Sequence, residues 1–99
     1  MSRDVAADAN RLKALGHPVR LGIAIALART PETCACDFAD VIEVSQPTVS
    51  EHLRVLRKAG IVTTKRRGTQ ICYSLDPSAV RQIRSMLSAL EPAKTRRSA

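Results

Sequence analysis

Cys34 and Cys36, one residue apart in the stretch ETCACDF, carry the most versatile chemistry in this chain, and Cys72 in QICYSL is the third thiol. Thiolates are soft ligands that select arsenic(III), antimony(III), cadmium, lead, zinc or copper(I) over oxygen-seeking ions. The same residues can instead form a redox pair, or pack as small apolar side chains. On an ideal helix, residues i and i+2 diverge by about 200°. Cys34 and Cys36 therefore converge on one ion only where the turn is irregular, and Thr33, Cys34 and Ala35 stand at the expected start of a helix, where such irregularity is available. Unpaired amides and helix polarity at that start would also favour the thiolate. Cys72 is expected to lie far from the pair within one subunit, which leaves it, solvent or a small thiol as the candidate third ligand.

A second group of residues suits nucleic acid. Sixteen Lys and Arg against nine Asp and Glu give a formal charge of +7, which favours a polyanionic partner, nucleic acid ahead of a membrane. In SQPTVSEHLRVLRKAG, the residues Gln46, Thr48, Ser50, Glu51 and Arg54 lie on the exposed N-terminal half of an expected helix. They offer the donors and acceptors that major-groove base edges require, and the free amides of the helix start suit a phosphate. Glu51 accepts from cytosine but repels phosphate, so it either selects sequence or lies just off the groove. His52 is either a half-buried histidine satisfied by a backbone carbonyl or a direct DNA contact; His17 reads as a helix-start residue. Lys65, Arg66 and Arg67 place three cations on an expected turn that can follow the DNA backbone or enter a minor groove, or can simply keep the turn solvated.

These groups need a scaffold, and the chain has the length for one domain. With 99 residues and only Phe38 and Tyr73 as aromatics, the core must be aliphatic, and its small size favours a homodimer. A first helix capped by Ser2 is expected to run to Leu15 and stop at Gly16. A second opens at His17 and Pro18, with Leu21, Ala24, Ile25 and Ala28 sharing its inner face. A short third covers Cys36 to Ile42. Ser45 then caps the helix of Val49, Leu53 and Leu56, Val44 staples onto Val49, and Gly60 closes it. IVTT and QICYSL form a hairpin around the turn KRRG, with Ile71, Tyr73 and Leu75 on one face and Cys72 on the other. The last helix carries Val80, Ile83, Leu87 and Leu90 with Met86 beside them; this stripe joins Val5, Leu12 and Leu15 as the dimer surface. The expected fold is mostly α with a small β-hairpin wing, a winged helix-turn-helix of order α-α-α-α-β-β-α. Residues 1–91 form the DNA-binding and dimerisation domain and 92–99 a basic disordered tail. An odd cysteine count, no apolar export segment and no run long enough to span a bilayer point to a reducing cytoplasm, with nucleoid association through the operator.

From LKALGHPVRL through ETCACDF, SQPTVSEHLRVLRKAGIV, KRRGTQICYSL and the final helix, the chain resembles the ArsR/SmtB family of winged-helix, metal-responsive repressors over nearly its full length. The resemblance implies an apo-dimer on a palindromic double-stranded operator, released when an effector binds. It also implies that Cys34 and Cys36 are sensing thiolates of the kind found in arsenic(III)/antimony(III) and cadmium/lead repressors. The arsenic version has a further cysteine where this chain has Ala39, and the cadmium/lead version draws thiolates from a longer N-terminal arm, whereas residues 1–33 hold none. Arsenic(III) or antimony(III) is the favoured effector; cadmium(II), lead(II) or zinc(II) is the alternative. A further family site uses carboxylates and histidines on the last helix; DPSAVRQIRSMLSALE has no histidine to join Asp76 and Glu91, which disfavours it.

Two other classes compete. A thiol-disulfide or arsenate-reducing enzyme would need an activated nucleophile, a resolving thiol and a cleft; no phosphate-binding glycine loop or dedicated base accompanies the pair, and the basic wing would go unexplained. A redox-responsive repressor using the same thiols, or a winged helix with inert cysteines, stays open.

Overall fold

The computed structural model describes residues 3–34, 37–38 and 45–93. Helix α1 (Val5–Leu15) starts at Asp4, whose carboxylate accepts the Ala7 N–H at 3.0 Å; Ser2, the expected cap, lies outside the described residues. Helix α2 (Pro18–Arg29) starts at His17, where the ring Nδ1 accepts the Val19 N–H at 3.1 Å. Its inner face differs from expectation: Ile23, Ala24 and Leu27 are buried, whereas Leu21 and Ile25 are about half exposed. LGIAIALA is apolar on every side, so helical period alone selects no unique face.

A two-residue strand β1 (Thr33–Cys34) follows. The expected third helix, Cys36 to Ile42, falls outside the described residues apart from Asp37 and Phe38, of which Phe38 is fully buried. Helix α3 (Gln46–Lys58) has Ser45 at its N-cap, but that hydroxyl donates to Thr48 Oγ1 (2.9 Å) in place of capping an amide. Val44, the expected staple, is outside the described residues. Val49, Leu53 and Leu56 are buried together, and Gly60 turns the chain with φ of 79°, a conformation that L side chains rarely adopt.

The hairpin consists of β2 (Val62–Arg67) and β3 (Gln70–Leu75). Arg67 pairs with Gln70, so only Gly68 and Thr69 form the loop. The three cations expected on the turn therefore belong to the outer half of β2. Two-residue loops match the twist of paired strands when a residue supplies positive φ, and Gly68, at φ 64°, supplies it. The sheet has three strands in the order β1-β3-β2, all antiparallel, with Cys34 opposite Cys72 and Lys65 opposite Cys72 on the other side. Helix α4 (Pro77–Ser88) starts at Asp76, whose carboxylate accepts the Ser78 N–H at 2.9 Å. That role accounts for Asp76 without a metal.

The core gathers Ala14, Ile23, Leu27, Phe38, Val49, Leu53, Leu56, Ile61 and Val62, and Tyr73 meets Phe38 edge-on at 6.0 Å. Leu15, expected at the dimer surface, packs on this core, and Met86 is buried. Buried Asp8 pairs with Arg3 (2.6 Å) and Arg11 (3.3 Å), while Arg3 also reaches the Gln82 carbonyl and Ser85 hydroxyl, fastening α1 to α4. Among the described residues no helix is long and apolar enough to cross a membrane.

Candidate nucleic-acid interface and thiol site

Helix α3 presents a polar face because its apolar residues recur at spacings of four and three and turn inward. Thr48, Ser50, Glu51 and Arg54 are exposed, and Gln46 opens the helix. Glu51 is held by Arg54 in a two-point pair, Nη2 to Oε2 at 2.6 Å and Nε to Oε1 at 3.2 Å. The guanidinium, through these hydrogen bonds first and its charge second, holds the Glu51 carboxyl below the usual carboxylate range. Each of the two thus occupies the other's charge.

His52 faces inward along the same helix. It lies half-buried with its ring 4.4 Å from that of His17, and Arg20 Nη1 donates to its Nδ1 at 3.3 Å. Arg20 also donates from Nε to the Ala14 carbonyl at 2.6 Å, so one guanidinium joins the end of α1 to α3. The histidine's partners are thus an arginine and a second histidine, not the backbone carbonyl that the sequence suggested. Burial first, then the charges of His17 and Arg20, push its pKa down, which favours the neutral ring.

On the wing, Lys65 and Arg66 are exposed, and Arg67 makes a two-point pair with Glu32, Nε to Oε2 at 2.7 Å and Nη2 to Oε1 at 3.0 Å. Hydrogen bonding from Arg67 lowers the Glu32 pKa, with Lys65 adding a smaller effect. Glu32 was not singled out from the sequence; its only signal there was a place two residues before Cys34.

The thiols depart furthest from expectation. Cys72 is not remote from Cys34: it lies directly across from it, and the two form a disulfide. Cys72 is buried and Cys34 half-buried. Cys34 also stands on a strand, so helix-end amides do not bear on it. Its partner in the sequence motif, Cys36, falls outside the described residues. The ligand atoms of Glu32, Cys34 and Cys72 lie within 4.8 Å of one another.

A winged helix-turn-helix with a cationic hairpin has many relatives. Residues 17–64 match the model of bacterial regulatory proteins of the arsR family. The transcriptional repressor BigR from Xylella fastidiosa has a similar structure, with a TM-score of 0.69 and 33% identity over 94% of this chain and 100% of that one. The chain belongs to the ArsR/SmtB family. Within the family, it is 42% identical to a cadmium resistance regulatory protein, the CadC homolog of Staphylococcus aureus, over 72% of this chain and 59% of the relative. It is 35% identical to the arsenic resistance regulator ArsR1 of Pseudomonas putida, over 82% and 63% respectively. The chain thus spans about three fifths of the length of these two relatives. Both relatives are named as transcriptional regulators.

Proposed function

We propose that this chain is a cytoplasmic, operator-binding transcriptional repressor that acts as a homodimer and is released by a soft ion held on cysteine thiolates. The observation that carries the reading is the register of the sheet. It sets Cys72 of the wing against Cys34, so two thiols meet at the hairpin, and Cys36 follows Cys34 by two positions in the sequence. Arsenic(III) and antimony(III) each take three thiolates, and Cys34, Cys36 and Cys72 are the proposed set in the reduced protein. Likeness to an arsenic regulator supports this choice; likeness to a cadmium regulator keeps cadmium(II), lead(II) and zinc(II) as the alternative.

On the DNA side, Gln46, Thr48, Ser50, Glu51 and Arg54 of α3 serve base edges and their rim, His52 supports the helix from its inner side against His17 and Arg20, and Lys65, Arg66 and Arg67 serve phosphate. The dimer forms through Val5 and Leu12 of α1, Leu87 of α4 and Leu90 just past its end, all of which are exposed. An ion that binds the DNA-free conformation better must weaken DNA binding by the same factor; a coupling of about 2 kcal/mol is roughly thirtyfold.

The test is operator release. Fully reduced protein is titrated onto DNA from upstream of its own gene, followed by anisotropy, with arsenite and then cadmium added. Cys34→Ser should bind DNA as the parent does and lose the response. Release of that variant by the same ion would overturn the site.

A further inference from the structure

Cys34, Cys72 and Glu32 are brought together by strand pairing alone, because β1 and β3 oppose Cys34 to Cys72 and the Glu32 carboxylate reaches the same place. We propose that Glu32, Cys34 and Cys72 form a binding site for a thiophilic divalent cation, built on the sheet and independent of Cys36. This rests on the reading that the cysteines act as thiolates, and it assigns a different ligand set to divalent ions from the three thiolates proposed for arsenic(III).

The donor set fits such an ion. Two sulfurs and one carboxylate oxygen suit zinc(II), cadmium(II) or lead(II), which accept mixed sulfur and oxygen donors. Zinc–sulfur bonds of about 2.3 Å and zinc–oxygen bonds of about 2.0–2.2 Å require donors roughly 3–4 Å apart, larger ions somewhat more, and the three ligand atoms already lie within 4.8 Å. Cys34 and Cys72 are directly paired, and once the disulfide is reduced, rotation about χ1 lets the freed sulfurs move apart. Arg67 holds the Glu32 carboxylate in place through two hydrogen bonds, at 2.7 and 3.0 Å. Cys72 is buried, which keeps water from competing at the inner donor. Three protein donors leave a fourth position open, the mark of an exchangeable site.

The disulfide and the cation exclude each other. A dithiol reductant passes two electrons and two protons to Cys34–Cys72 by exchange, giving two protein thiols and its own disulfide. The cation then displaces the two thiol protons and forms two metal–sulfur bonds and one bond to Glu32. Ligation draws the carboxylate from Arg67, so the ion alters a wing cation directly. Lys65, opposite Cys72 on β2, and Arg67 are the charged wing groups beside the site.

The experiment is an ultraviolet titration with cadmium(II), following thiolate charge transfer. Cys36→Ser, reduced and kept under anaerobic conditions, should bind one ion per chain with the absorption of two thiolates. Cys72→Ser made in that background should lose the absorption. Glu32→Gln in that background should weaken binding about tenfold or more, the scale on which a supporting ligand group counts. The disulfide form should bind nothing until reduced. Cys34→Ser is the second variant, and far-ultraviolet circular dichroism checks each fold. Loss of binding in Cys36→Ser, with wild-type binding kept in Cys72→Ser, would overturn the proposal by placing the ion on the Cys34–Cys36 pair. Binding unchanged by Glu32→Gln would overturn the carboxylate ligand. Absence of any thiolate absorption in the reduced parent, with cadmium and arsenite alike, would instead overturn the soft-ion reading itself.

Discussion

Glu51 and Arg54 are one helical turn apart and close a two-point ion pair on an exposed surface, which bears on the DNA contact proposed for each. A carboxylate beside the groove repels phosphate, and here it also occupies the guanidinium that would contact it. Glu51→Gln should therefore tighten non-specific DNA binding and steepen its salt dependence by about one counterion. Anisotropy titrations at several salt concentrations measure this, and an unchanged slope would put Arg54 outside the contact. His52 predicts a pH effect. Its pKa is lowered in the folded state, so below about pH 6.5 the unfolded chain takes up a proton that the folded chain refuses. Stability should be full above that pH and fall as pH drops from it toward the depressed folded value. Urea melts at pH 7.5 and 5.5 should show this loss, and His52→Gln should reduce it. The inward position of His52 was half legible from its place beside Leu53. Its partners were not, since Arg20 and His17 lie 32 and 35 positions away in the chain, beyond any local pattern.

Among the elements, α1, α2, α3, the hairpin and α4 were all legible, because each has a cap, a breaker or a glycine where the period changes. Strand β1 was not. Two residues carry no period, and the partner that makes them a strand is 38 positions away. Missing β1 also misplaced Cys72. In an isolated hairpin, alternation sends Cys72 outward with Gln70 and Ser74, but β3 is the central strand here, and its Cys72 is buried. The disulfide then joins distant segments, and closing a loop of that length stabilises a fold by about 2–4 kcal/mol. Reduction should lower the unfolding free energy by that order in denaturant melts, while Cys36→Ser leaves the difference intact. The wing makes a second prediction. Arg67 is already paired with Glu32 whereas Lys65 and Arg66 are exposed. Replacing Lys65 and Arg66 by alanine should flatten the salt slope by about two counterions, and adding Arg67→Ala should remove less than one more.

For the whole molecule, the apolar surface is uneven. Val5 and Leu12 on α1, Leu87 on α4 and Leu90 just beyond it are 44–72% exposed, and Arg3 and Asp8 fasten the two helices together into one unit. Leu87→Glu should leave the core untouched, convert a dimer to a monomer in sedimentation velocity, and weaken binding to a palindromic operator by more than tenfold, because each half-site would be held alone. A variant that still sediments as the parent does would remove this surface from the interface.

The order β1-β3-β2 makes the central strand common property. One edge is β1, which follows α2, and the other is β2, the outer strand of the hairpin proposed to meet phosphate. The molecule is thus a calliper whose two jaws share a spine. A bond or an ion at Cys34 and Cys72 bears on that shared spine, because Cys34 stands on one edge strand and Cys72 on the central one.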